Sequence, residues 1–307
     1  MILFHFPQFK KLATKLQPQF ESTRGRFEIH RYPKKELYAY TKTKVGGKNC
    51  VLLGTIAPPD ENLLTFSLVA HTLKKEGAAS VTALLPYLAY SRHDKIEAGK
   101  SLGTHWVGEL LSGSGVDEVV TIDVHSSHVV DLFPMPLKSI SSNQLFTKEI
   151  LNLNLKDVTM VAPDEGAKGR CQEIARQLRI TNTAYFKKVR TDKGVVKSTL
   201  FGQPTQKAVI IDDILDTGET LLFSCRRLQK KGVKEIYIFI THGLFTGVKW
   251  KKLWNLGVKR IYTTDTTPTL VKYFNKIIYL PVAGLLKDSL TEWSRTESLI
   301  GEKSQVY

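Results

Sequence analysis

The stretch Ala208–Val209–Ile210–Ile211–Asp212–Asp213–Ile214–Leu215–Asp216–Thr217–Gly218–Glu219–Thr220 decides how the rest of this 307-residue chain reads. An apolar run long enough for a buried strand meets two adjacent carboxylates. A short polar turn follows, and then the helix-period segment Leu221 to Leu228. This is the pattern of strand, anion-binding turn and helix. At the carboxyl edge of a parallel sheet, the turn's N–H groups and the helix N-terminus can surround a phosphate, with the Thr217 and Thr220 hydroxyls as further donors. Asp212 and Asp213 would repel that phosphate, so they must serve sugar hydroxyls or a divalent cation. An ordinary strand-to-helix junction capped by Asp or Thr is the plain alternative.

Short apolar runs alternate with helical patterns on both sides of this stretch. Met1–Phe6, Cys50–Leu53, Val81–Leu85, Val119–Ile122, Val158–Ala162 and Ile236–Ile240 read as strands. Phe9–Leu16, Asn62–Leu73, His105–Leu111 and Lys168–Leu178 read as helices between them. Such alternation predicts an α/β fold with mainly parallel sheets flanked by helices. An internal repeat divides it in two. Leu111 to Val119 echoes Leu228 to Ile236, and Gly115 and Gly232 are each followed ten residues later by a histidine, His125 and His242. Two related domains are expected, 1–142 and 143–307, with the boundary in the turn-like Ser139–Asn143.

The net charge of +15, from 44 Lys and Arg against 29 Asp and Glu, suits polyanionic small molecules as well as nucleic acid. No basic stripe interleaved with aromatics and no zinc spacing favours nucleic acid, and none is expected as a partner. Cys50, Cys171 and Cys225 are scattered, as in a reducing compartment, and the latter two fall in helical patterns as small core residues. The N-terminal Met1–Phe6 has no basic start and makes a poor signal peptide. No apolar run approaches the roughly 18 residues of a membrane span. A cytoplasmic protein without membrane contact is the expectation.

Four further stretches carry chemistry. Leu84 to Lys95 takes a buried strand into Arg92, His93 and Asp94, which suit a phosphate or a nucleobase edge but also fit a solvated loop. Thr121–Ser127 sets His125 at a sheet end. Val161–Arg170 is another strand, acidic turn and helix, in which Asp164 is a metal-ligand candidate or a helix cap. Phe186–Gly194 places Lys188 and Arg190 on either an exposed edge strand or a mobile cationic arm that closes over phosphates.

Together these stretches resemble the phosphoribosyl diphosphate (PRPP) synthetases, or ribose-phosphate diphosphokinases, from the first strand to about Pro268. Pro86, Tyr87, Tyr90, Arg92 and Asp94 match one family motif, and Asp123 with His125 another. Pro163, Asp164 and Gly166 match a third, Lys188 and Arg190 the catalytic loop, and Asp212 to Thr220 the PRPP signature. The resemblance implies two type I phosphoribosyltransferase-like domains. It also implies that Asp212, Asp213, Asp216, Thr217, Gly218, Glu219 and Thr220 hold ribose 5-phosphate. Arg92, His93 and Asp94 would contact ATP together with Lys34 and Glu36, and His125 and Asp164 would bind Mg²⁺. Lys188 and Arg190, with His125, would be catalytic. The implied reaction moves the β,γ-diphosphoryl group of ATP to the ribose 1-hydroxyl, giving PRPP and AMP, in a homo-oligomer (dimer or hexamer) whose ATP site uses two subunits.

The chain departs from the family pattern at Tyr32–Pro33–Lys34–Lys35–Glu36, where the usual loop has Asp in place of Lys34, and at His93, where the family has Gln. It departs again at Ala167, where a glycine is usual and a methyl group would crowd a close-approaching phosphate. A non-catalytic regulatory homologue and a PRPP-consuming phosphoribosyltransferase are the alternative readings.

Overall fold

The computed structural model describes residues 1–19, 23–190, 196–268, 271 and 275–287. They form two compact units, one of Met1–Ile140 joined by the described residues from Val282 onward, the other of Ser141–Pro281.

In the first unit the order is β1 (Ile2–His5), α1 (Lys10–Leu16), β2 (Thr23–Arg24), β3 (Phe27–Arg31), β4 (Leu37–Thr41), β5 (Asn49–Leu53) and α2 (Glu61–Lys75). It continues through β6 (Ser80–Leu85), α3 (Gly103–Gly113), β7 (Glu118–Ile122), α4 (His128–Asp131) and β8 (Leu137–Ile140). Six strands make one parallel sheet in the order β2-β1-β5-β6-β7-β8. The hairpin β3–β4 stands apart from it and packs Phe27 against Phe4 and Phe6.

The second unit runs α5 (Asn143–Asn152), β9 (Val158–Ala162), α6 (Lys168–Gln177), β10 (Thr183–Arg190), β11 (Val196–Phe201) and β12 (Lys207–Leu215). It ends with α7 (Glu219–Lys230), β13 (Glu235–Gly243), a 3-10 segment Lys249–Leu256, β14 (Val258–Thr264) and β15 (Ile277–Leu280). Its sheet has the order β11-β10-β9-β12-β13-β14-β15 and is parallel except for the β10–β11 pair. The two mainly parallel sheets flanked by helices are those expected from the sequence.

Side chains of β12 alternate between two cores because both faces of a parallel sheet are covered. Val209 and Ile211 pack with Phe146, Ile174 and Phe239 on one side, while Ala208 and Ile210 pack with Leu221, Cys225 and Leu228 on the other. Each buried Val, Ile or Leu side chain contributes about 1.5–3 kcal/mol over leaving it in water. That anchoring holds the carboxyl end of β12, and hence Asp212 and Asp213, in a fixed place. The three cysteines are buried, and burial pushes the Cys171 and Cys225 thiols up to about 12 and the Cys50 thiol up to about 11. They are core residues.

The segment after β15 departs from a simple division at residues 142/143. Val282, Ala283 and Leu286 bury themselves among Leu3, Leu12, Leu16 and Val51, so the chain returns to the first unit after completing the second. Apolar residues seek the largest available apolar surface irrespective of sequence order, and here it is the face of β1 and β5 covered by α1.

Candidate active site

β12 is longer than its apolar run. Asp212 and Asp213 lie within it, Asp212 opposite Ile240 of β13, and the turn proper is Asp216–Thr217–Gly218. Gly218 is required twice over. It has φ +84°, and a Cβ there would come within 2.9 Å of Trp250 Cβ and 3.0 Å of Trp250 Cα. Trp250 is buried against Phe245 and forms the floor of the turn. The N–H groups of Leu244 and Phe245 donate to the Leu215 carbonyl at 2.8 and 3.1 Å, and that of Thr246 donates to the Asp216 carbonyl at 3.1 Å. The loop after β13 thus staples the turn from below. Glycine at the N-cap supplies no side-chain cap to α7, so the first-turn N–H groups are left to a ligand or solvent.

Asp212 is buried and its Oδ1 accepts the Asp213 N–H at 3.0 Å. Burial, and then the charges of Asp213 and Asp164, hold its carboxyl well above the ordinary carboxylate range. Three acids from two strand ends therefore converge at one edge of the second sheet. A group that resists ionisation until compensated is suited to a ribose hydroxyl or to a divalent cation. Among the described residues, no cluster of three or more His, Cys, Asp or Glu is arranged to hold a metal by itself. Mg²⁺ nevertheless fits this donor set, because it keeps waters and substrate phosphate oxygens and takes only one or two carboxylates from the protein.

Asp164 is exposed, and its Oδ1 accepts the Ala167 N–H at 3.0 Å, so it does tie the start of α6. Ala167 adopts ordinary helical φ and ψ and is buried in the core with Ile174 and Met160, so its methyl group packs inward. Nearby, Arg170 donates to the buried Thr241 hydroxyl at 2.8 Å, and Lys187 pairs with Glu165 at 3.2 Å. β10 pairs with β9 only over Thr183–Tyr185 and with β11 over Tyr185–Arg190. Its outer half is thus a two-stranded arm reaching past the sheet. Lys188 and Arg190 have their backbone on this arm, while their side chains and residues 191–195 lie outside the described residues.

In the first unit Arg92, His93, Asp94 and His125 line one cavity of about 640 Å³, together with Lys95, Glu97 and Lys100. Ser126 Oγ donates to Asp94 Oδ2 at 2.5 Å and joins the loop after β6 to the loop after β7. Tyr90 turns the chain at φ +68°, with its hydroxyl donating to Asp60 at 2.8 Å, and Thr104 Oγ1 donates to the Tyr90 carbonyl at 2.9 Å. Sequence reasoning did not foresee Glu97, Gly99, Lys100 and Ser101 as part of this wall. No local motif marks them; the cavity arises because two loops at neighbouring strand ends meet. Lys34 and Glu36 are not among its lining residues. They are exposed at the tip of the β3–β4 hairpin, closed by Tyr32 N–H to Glu36 O at 2.9 Å and tied to α2 by the Arg31–Glu61 ion pair. Among the described residues, no helix is long and apolar enough to cross a membrane.

Comparisons with known proteins bear on the family and the fold. Residues 1–115 match the model of the N-terminal domain of ribose phosphate pyrophosphokinase, and residues 132–262 match the phosphoribosyl transferase domain model. The chain is 26% identical over 297 residues to the ribose-phosphate pyrophosphokinase of Pasteurella multocida (strain Pm70), covering 94% of each chain. It is 26% identical over 306 residues to that of Buchnera aphidicola subsp. Acyrthosiphon pisum (strain APS), covering 97% of each. The crystal structure of phosphoribosylpyrophosphate synthetase from Mycobacterium smegmatis superposes with a TM-score of 0.87 at 24% identity, covering 96% of this chain and 99% of that one. Two adjacent domain matches in family order, full-length relatives of one name and a shared fold converge: this chain belongs to the ribose-phosphate pyrophosphokinase family.

Proposed function

We propose that the protein transfers the diphosphoryl group of ATP to the 1-hydroxyl of ribose 5-phosphate, releasing AMP and forming PRPP. The observation that carries this reading is the β12–α7 junction. It puts adjacent carboxyls, the buried Asp212 and the half-buried Asp213, beside a glycine-shaped turn at a helix N-terminus. One small site thus offers hydroxyl acceptors and phosphate donors together.

In this reading Asp212 and Asp213 accept from the ribose hydroxyls, while Asp216, Thr217, Gly218 and Thr220 seat the 5-phosphate. Arg92, His93 and Asp94 hold the nucleotide in the first-unit cavity, with the hairpin residues Lys34 and Glu36 serving a nucleotide in a homo-oligomer. His125 and Asp164 are the protein ligands for Mg²⁺, which when bound supplies charge neutralisation to the polyphosphate. Lys188 and Arg190, on the β10–β11 arm, serve to stabilise the transferring group. No covalent protein intermediate is needed, since positioning and charge neutralisation suffice for phosphoryl transfer.

The test is incubation with ATP, Mg²⁺ and ribose 5-phosphate while AMP and PRPP are quantified. Equimolar appearance of both is expected. If neither forms with any of the common nucleoside triphosphates, the reading falls.

A further inference from the structure

Glu219 is the first residue of α7 and adjoins Gly218 at the floor of the turn. An acid in the first turn of a helix is ordinarily favourable, because it faces the positive end of the macrodipole. Here the same N–H groups are the ones assigned to a dianionic phosphate, so an uncompensated Glu219 would repel the ligand. The structure supplies the compensation. Lys249 Nζ lies 2.5 Å from Glu219 Oε1, across 30 residues of sequence. Lys249 begins the 3-10 segment that packs against α7, and its neighbour Trp250 is locked beneath Gly218. The lysine is therefore delivered to the rim of the turn by the residue that shapes the turn's floor.

An exposed ion pair contributes little to folding, and both partners here are largely exposed, at 63% and 65%. The same exposure leaves the ammonium group able to change partners at low cost. A cation on a flexible stem beside a carboxylate can exchange that anion for another that arrives at the same helix start.

We propose that Lys249 is a positioning residue for the 5-phosphate: it cancels the Glu219 carboxylate in the empty turn and shifts its ammonium group toward the phosphate when a dianionic phosphomonoester enters. The proposal rests on reading the turn as a ribose-phosphate cradle. It adds that Glu219 is not itself a ligand contact but the counter-charge that sets how strongly the cradle discriminates for a dianion.

The test compares wild type, Lys249→Met, Glu219→Gln and the double variant, all full-length, by calorimetric titration with ribose 5-phosphate at fixed ionic strength and by steady-state kinetics. Lys249→Met should weaken binding about fivefold, as loss of one exposed charge contact predicts. Glu219→Gln should bind at least as tightly as wild type, and the double variant should recover to within about twofold of it, the mark of a pairwise coupling. The change should appear in the KM for ribose 5-phosphate and leave that for ATP in place. It should shrink as salt rises. Melting temperatures of the four proteins separate binding from folding. Equal affinities for Lys249→Met and wild type would overturn the proposal, as would a double variant as weak as Lys249→Met. If wild type itself fails to bind ribose 5-phosphate, the cradle reading falls, and the proposal with it.

Discussion

Both units contain the same turn, and its consequences diverge within ten residues. In the first, α3 ends with Val116 N–H donating to Leu111 O at 3.1 Å and Gly115 N–H to Ser112 O at 2.8 Å, with Gly115 at φ +85°. In the second, Val233 donates to Leu228 O at 3.1 Å and Gly232 to Gln229 O at 3.0 Å, with Gly232 at φ +89°. Each is a helix stop closed by a left-handed glycine and sealed by a buried Leu–Val pair. Each starts a strand three residues later. β7 stops at Ile122, where Asp123 turns the chain at φ +43°, so His125 falls in a loop and lines the first-unit cavity. β13 runs on to Gly243, so His242 stays inside the sheet, almost fully buried, with its Nδ1 2.9 Å from the Thr266 hydroxyl. Strand length after a shared turn has converted one histidine to a cavity wall and the other to a core bond.

The histidine pair offers the most direct way to break this comparison. On the proposed assignment of His125 to Mg²⁺, His125→Ala should lower PRPP formation by about 10- to 100-fold, at least what loss of an outer-shell partner costs a metal site, with the melting temperature held. His242→Ala should cost about 1–3 kcal/mol of stability, because it removes a buried hydrogen bond and leaves a void in the sheet. The Thr266 hydroxyl keeps its bonds to Thr264 and the Thr241 carbonyl. Activity assays and thermal melts on the two variants would read out the swap, and a destabilised His125→Ala would contradict the division of roles.

Asp212 sharpens the comparison at the strand ends, since β7 is followed by the single acid Asp123 where β12 carries a pair. The folded-state pKa of Asp212 is raised by burial and by Asp213 and Asp164, so the native state binds its proton more tightly than the unfolded chain. Stability therefore falls as pH rises from the unfolded carboxylate value, near 3.9, through the raised folded value. Asp212→Asn should remove that part of the pH dependence and raise the melting temperature at neutral pH, while ribose 5-phosphate binding is lost. Melting curves across pH for both proteins check the sign.

The smallest expected effect concerns the two glycines. Gly115→Ala and Gly232→Ala should each cost about 1 kcal/mol, because an L-residue is forced to positive φ. Gly232 has nothing within 4 Å of an added Cβ, whereas at Gly115 the contact is the Lys74 stem at 2.5 Å, which can move. Chemical denaturation should therefore give similar values; a much larger cost at Gly115 would show that the Lys74–Asp117 pair, at 3.0 Å, fixes that stem.

What could be read from the sequence was what local chemistry writes down. The run to Asp212 and Asp213, the alternation of elements and the repeated glycine turn all depend on neighbours in the chain, and the structure carries each of them. The β3–β4 hairpin has a period-2 pattern in Phe27–Arg31 and Leu37–Thr41, yet its turn, with Lys35 at φ +71°, lacks the Asn-Gly or Gly pair that announces a hairpin. The wall of the first-unit cavity was hidden because it joins loops some 30 residues apart, as Ser126 bonding Asp94 shows. Lys249 was silent for the same reason. Its meaning depends on Glu219, and that pairing appears only after Trp250 has settled under Gly218.

The return of Val282, Ala283 and Leu286 to the core of the first unit makes the second unit an insertion rather than a tail. A ribosome releases residues 1–140 long before their last apolar partners exist. The face of β1, β5 and α1 that awaits them must therefore stay uncovered while the whole inserted unit is synthesised. A chain cut after Pro281 would retain every residue of the ribose-phosphate cradle, yet it would lose part of the core of the other unit.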